Sequence, residues 1–130
     1  MTRSIIPSLA YEDAPNAVNW LHGAFGLAAT TVVPGPDNTI AHAELKSEAG
    51  GVVMVLSTQL STRRNRSPKT LGGTAESVYM VVSDIEMAYD KAVAAGAEVF
   101  NPLHDTDYGS REFCCLDPEG HIWTLGTYQP

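Results

Sequence analysis

The sequence predicts an α+β protein made of two βαβββ modules, each a four-stranded sheet with one helix on one face. The first observation is a repeat. An Asp at the start of a helical pattern, a Gly at its end and a Gly opening a later strand recur as Asp13, Gly26, Gly51 and as Asp84, Gly96, Gly120, at offsets of 71, 70 and 69 residues. The second is that short apolar runs alternate with clusters of Gly, Pro, Asn and Asp, the chemistry of tight turns. The third is size. With 130 residues, 44% hydrophobic and 18% charged, the chain has enough apolar material for one shared core without a metal or disulfide staple.

Taken in order, an apolar stretch from Ser4 to Ala10 reads as the first strand. Asp13 then suits a helix N-cap, because its carboxylate accepts orphan backbone N–H groups, and Pro15 costs little in the first turn. Ala14, Val18, Leu21 and Phe25 share one helical face, and Gly26 supplies the left-handed end. Strands are expected over 28–33, 39–46 and 52–57, completing a module over 1–58. The linker 59–75 has no apolar periodicity. The second module, 76–130, opens on an apolar strand ending at Ser83, capped by Asp84. Ile85, Ala88, Ala92 and Ala95 form the buried helical face, with Gly96 as terminator. Strands over 98–103, 111–116 and 121–128 finish the chain.

The net charge of −7 and pI near 4.9 argue against nucleic acid and against an anionic membrane surface. No apolar run approaches a bilayer span, and Met1 to Ala10 lacks the pattern of a signal peptide, so a cytoplasmic protein is expected. Cys114 and Cys115 are adjacent and would point to opposite faces of a strand, a poor geometry for a disulfide. Against this acidic background the linker carries Arg63, Arg64, Arg66 and Lys69 and no acid. It is locally +4, leaving −11 for the rest. Such a segment reads either as a solvated connector or as a lid that touches an anionic ligand.

The paired modules, the segment Tyr11-Glu12-Asp13-Ala14-Pro15 with Trp20-Leu21 and Ala24-Phe25-Gly26, the stretch from Ile40 to Leu45, and the ending Asp117-Pro118-Glu119-Gly120-His121-Ile122-Trp123 resemble the vicinal oxygen chelate superfamily. That is the glyoxalase, bleomycin-resistance and extradiol-dioxygenase group, and the resemblance is to its glyoxalase-like branch. It implies a curved mixed sheet around a cavity, a small organic ligand and a homodimer. In resistance members that ligand is a cationic drug, which a net −7 would attract. In metal-dependent members, four cavity positions supply His, Gln or Glu. Here those positions fall at Ser77 and near Thr124, Ile6 or Pro7, and Val55. None is a strong ligand for Zn, Ni, Fe or Mn, so no cofactor is expected, and a divalent metal would have to recruit Glu76. The reading is a metal-free small-molecule binding protein. A metal-dependent lyase, isomerase or dioxygenase, and a ligand-free dimeric module, are the alternatives.

Strand alternation aims Ser8, Ala10, Val53 and Val55 into the cavity in the first module, with Val52, Met54 and Leu56 under the helix. In the second, Ser77, Tyr79, Ile122 and Thr124 face in, while Val78, Met80, Trp123 and Leu125 pack beneath the helices. The same residues are equally compatible with plain core packing. His42 and Glu44, two apart on one strand face, suit a hydrogen-bonded pair, a ligand contact or part of a metal site. Tyr108 and Arg111 flank a turn. Arg111 would bind a ligand carboxylate or pair with Asp107 or Glu112. No phosphate loop, Gly-x-Ser-x-Gly elbow or Cys-x-x-Cys pair is present.

Overall fold

The computed structural model describes residues 4–130. Strand β1 (Ser8–Tyr11) leads to helix α1 (Ala14–Phe25), then β2 (Ala28–Pro34), β3 (Ile40–Lys46) and β4 (Val52–Ser57). A 3-10 turn (Thr58–Leu60) and a single turn of helix α2 (Pro68–Leu71) interrupt the linker. The second module runs β5 (Ser77–Val81), α3 (Ile85–Ala94), β6 (Glu98–Asp105), β7 (Arg111–Leu116) and β8 (Ile122–Gly126). The two sheets have the same order, β1-β4-β3-β2 and β5-β8-β7-β6. In each, the first and fourth strands pair parallel and the rest antiparallel. No helix among the described residues is long and apolar enough to cross a membrane.

The caps form as the sequence predicts. The Asp13 carboxylate accepts the Asn16 N–H at 3.1 Å, and Asp84 accepts the Met87 N–H at 3.1 Å. Gly26 takes the left-handed conformation at φ 72° that ends α1. The second helix ends differently. Ala95 is its cap in right-handed geometry, and Gly96 turns left-handed one residue later. The opening strand is shorter than expected, because the imide nitrogen of Pro7 has no hydrogen to donate and the ladder begins at Ser8. At the other end, Thr127 leaves the ladder and its hydroxyl accepts the Arg111 N–H at 3.1 Å, so β8 stops at Gly126.

Both helices lie on the same side and pack on each other, giving one core that spans the modules. Trp20 donates its indole N–H to the Ala95 carbonyl at 2.8 Å, tying α1 to the end of α3. Phe25 bridges Trp20 and Trp123 at ring separations of 5.1 and 5.0 Å. Fully burying a side chain such as Leu21 is worth about 2 kcal/mol.

One face assignment is corrected. Leu9 pairs with Val55 and Ser8 with Met54, and partners in register share a face. Val53 and Val55 therefore sit in the helix-side core, Val55 at 0% exposure, and not on the face of Ser8. Met54 shares the face of Ser8. The run Val52-Val53-Met54-Val55-Leu56 is apolar throughout, so alternation left its parity undetermined, and a slip of one residue inverts every side chain.

Candidate functional site

With helices on one side, the opposite sheet faces carry the candidate chemistry. Ser8, Ser77 and Ile122 come together, lining a cavity of about 490 Å³ between the first strands of the two modules. The linker forms another of its walls through Asn65, Arg66, Pro68 and Leu71. The lining combines apolar side chains and the hydroxyls of Ser8, Thr74 and Ser77 with the polar and ionisable groups of Asn65, Arg66, Glu76 and His121.

The structure revises the four positions at which the resemblance would place a metal. Register moves the β4 position from Val55 to Met54, so the set is Ile6, Met54, Ser77 and Thr124. A hydrocarbon, a thioether and two hydroxyls do not fit a divalent ion that seeks imidazole and carboxylate. The Thr124 hydroxyl instead shares a hydrogen bond with the Cys114 thiol at 3.2 Å. Among the described residues, no three His, Cys, Asp or Glu side chains approach closely enough to hold an ion.

A polar hub on the second sheet was not foreseen. Glu112 is 5% exposed, yet its carboxylate accepts three hydroxyls: Tyr79 at 2.7 Å, Tyr108 at 2.7 Å and Ser110 at 2.9 Å. Burial pushes the Glu112 carboxyl upward, but the three donors outweigh it and hold it below its ordinary value. The Tyr108 phenol, donating to that carboxylate, is pushed up to about 12. Tyr79 is raised as well, chiefly by burial. It starts on β5 and reaches β7 by crossing β8 at Gly126, where any Cβ would overlap its ring and hydroxyl. The available signals were a glycine within a strand and a lone acid beside Phe113 in an apolar one.

His42 and Glu44 form a pair, with the carboxylate accepting the Nε2–H at 2.8 Å, half-exposed and away from the hub. Arg111 is not directed at a ligand. Its guanidinium donates to Asp105 and Glu86 at 3.0 Å each, partners other than the expected Asp107 or Glu112. These bonds, Asp105 foremost, raise its pKa further. Cys115 is buried, and its thiol is pushed up to about 12, which makes it unreactive.

The Asp117–His121 turn clamps the modules. Asp117 accepts the Tyr11 hydroxyl and the Trp123 indole N–H, the latter at 3.0 Å. Glu119 accepts the backbone N–H groups of Glu12 at 2.6 Å and Asp13 at 2.8 Å, together with the Ser67 hydroxyl at 2.7 Å. His121 donates Nε2–H to the Ala10 carbonyl at 2.8 Å, and its ring lies tilted against Tyr11 with centroids 4.6 Å apart. Burial, reinforced by Asp117, raises the Tyr11 pKa well above normal. His121 thus satisfies backbone 111 residues away, in the first module.

Comparison with known proteins agrees with this architecture. The family model of the Glyoxalase/Bleomycin resistance protein/Dioxygenase superfamily matches residues 6–125. The chain is 32% identical over 126 residues to the uncharacterized protein Mb0911c of Mycobacterium bovis, covering 95% of this chain and 82% of that one. The crystal structure of TioX from Micromonospora sp. ML1 superposes with a TM-score of 0.78 at 33% identity, covering 98% and 100% of the two chains. A superfamily member from Sphaerobacter thermophilus DSM 20745 shares the fold, with a TM-score of 0.72, 17% identity, and coverage of 95% and 97%.

Proposed function

The chain belongs to the Glyoxalase/Bleomycin resistance protein/Dioxygenase superfamily, and we propose that within it this protein binds an apolar small organic molecule without a catalytic metal. The observation that carries the reading is the cavity of about 490 Å³, which gathers Ser8, Ser77 and Ile122, Ser77 standing where metal-dependent relatives would need a ligand. Burial of apolar surface supplies the affinity there, and the two serine hydroxyls orient the guest. The metal-dependent alternative would require imidazole or carboxylate at Ile6, Met54, Ser77 or Thr124.

The binding unit in this proposal is a homodimer. All seven residues of the edge strand β2 are exposed, Val32 and Val33 among them, and Phe100 is exposed on the other edge strand, β6. A second copy covers such apolar edges.

Titration with the neutral fluorescent dye N-phenyl-1-naphthylamine tests the proposal. Saturable binding is expected, and Ser77→Trp, which fills the cavity from an exposed position, should abolish it. Undiminished binding in that variant would overturn the cavity assignment. Stoichiometric Zn, Ni, Fe or Mn in purified protein, lost in Glu44→Ala, would overturn the metal-free reading.

A further inference from the structure

We propose that the ligand is an organic acid and that Arg66 receives its acidic group. This rests on the cavity being a small-molecule site. The whole chain carries −7, which on its own would favour cations, but charge acts locally. At physiological salt the screening length is about 8 Å, so a cavity feels the segment that lines it more than the far side of the protein. The segment lining this cavity is the only stretch rich in Arg.

The backbone on either side of Arg66 is held by its neighbours, and the side chain itself is exposed. Ser67, at 0% exposure, donates its hydroxyl to Glu119 and accepts the Lys69 N–H at 3.2 Å. Asn65 is fastened to Ser61 through its backbone at 3.3 Å and its side chain at 3.0 Å. The guanidinium donates once, to the Asn65 carbonyl at 3.0 Å. A guanidinium has five N–H donors in a planar fork, so most remain available. The other cations near the linker and second sheet differ. Arg111 holds two carboxylates and Lys69 faces Glu12, while Arg63 and Arg64 do not stand on the wall of this cavity. Among the described residues Arg66 has no acid within ion-pair distance, although it lines a cavity.

Two other titratable groups share that cavity. His121 is committed through Nε2 to Ala10. Glu76 stands on the wall without pairing with Arg66, and it opposes an anion. The geometry therefore suits an apolar body against Pro7, Pro68, Leu71 and Ile122, with a carboxylate, sulfonate or phosphate-type group turned to the Arg66 fork.

The test uses two dyes of similar ring structure, anionic 8-anilinonaphthalene-1-sulfonate and neutral N-phenyl-1-naphthylamine, titrated on wild type, Arg66→Ala, Glu76→Gln and Ser77→Trp. In Arg66→Ala the sulfonate dye should lose about tenfold in affinity and most of its salt dependence, the loss of one charge-assisted contact, while the neutral dye binds as before. In Glu76→Gln the sulfonate dye should bind more tightly and the neutral dye should not change. If Arg66→Ala leaves the sulfonate dye unaffected while Ser77→Trp expels both dyes, the role of Arg66 is overturned and the cavity survives. If Ser77→Trp expels neither, the cavity reading falls first.

Discussion

The turns at Ser47–Gly51 and Asp117–His121 occupy equivalent places in the two modules and share one backbone design. In the first, the Ser47 N–H donates to the Gly51 carbonyl at 2.8 Å and the Gly50 N–H to the Ser47 carbonyl at 3.0 Å. In the second, the Asp117 N–H donates to His121 and the Gly120 N–H to Asp117, both at 3.0 Å. Even the side-chain contact repeats, with Ser47 Oγ accepting the Gly51 N–H at 2.9 Å and Asp117 Oδ1 the His121 N–H at 3.1 Å. The difference is a second oxygen. A hydroxyl ends its work within the turn, whereas a carboxylate has Oδ2 left for Tyr11 and Trp123. One side chain thus turns a surface hairpin into the joint between halves.

Breaking that joint should give the largest effect. Asp117→Ala strands two buried donors, and a loss of about 4 kcal/mol in urea unfolding is expected, against less than about 1 kcal/mol for Ser47→Ala. Equal losses would mean that the clamp adds nothing beyond its turn. The next largest effect concerns the strand ends. Leu56 occupies in β4 the place that Gly126 has in β8, and only the glycine lets a neighbouring side chain cross. Gly126→Ala should cost about 2 kcal/mol, and the cost should largely vanish in a Tyr79→Ala background. A cost that persists there would show that Tyr79 is not the obstructing group.

The smallest effect separates the two acids of the open faces by pH. The Glu112 carboxyl is held down in the folded state, so its stabilisation is present above the unfolded carboxylate pKa and is lost as pH falls through its lowered folded value. Denaturation midpoints measured from neutral to acid pH should therefore flatten in Glu112→Gln. They should keep the wild-type slope in Glu44→Gln, because the His42–Glu44 pair is partly solvated and exposed pairs contribute about 0.5 kcal/mol or less. Matching slopes in the two variants would sink the distinction.

The duplication, the caps at Asp13 and Asp84 and the limits of β4 and β7 were legible because each rests on local chemistry: a short acid, a turn glycine, an apolar run between breakers. That Ser77, Tyr79, Ile122 and Thr124 share one sheet face was legible for a related reason. Trp123 and Leu125 alternate with smaller or polar neighbours, so the parity of β8 shows in its composition. Val52 to Leu56 contains no polar residue to reveal parity, and the register puts Val55 on the face opposite to the one alternation gives it. The Glu112 hub and the Asp117 clamp were out of reach because both join residues distant in sequence. Tyr79 must cross a strand that comes 43 or more residues later in the chain, a relation defined only once the order β5-β8-β7 exists. Arg111 shows the same limit, since its partner Glu86 lies 25 residues away on α3.

The clamp also orders events in time. Tyr11 and Asp117 are 106 residues apart, and Glu12 is 107 from Glu119. During synthesis the first module emerges long before its acceptors do, and the amides at the head of its first helix wait on water until almost the last strand is translated. Closure across so long a loop is a late and slow step. A nascent first half accordingly lacks the acceptors that its Tyr11 hydroxyl and its Glu12 and Asp13 amides meet in the finished fold.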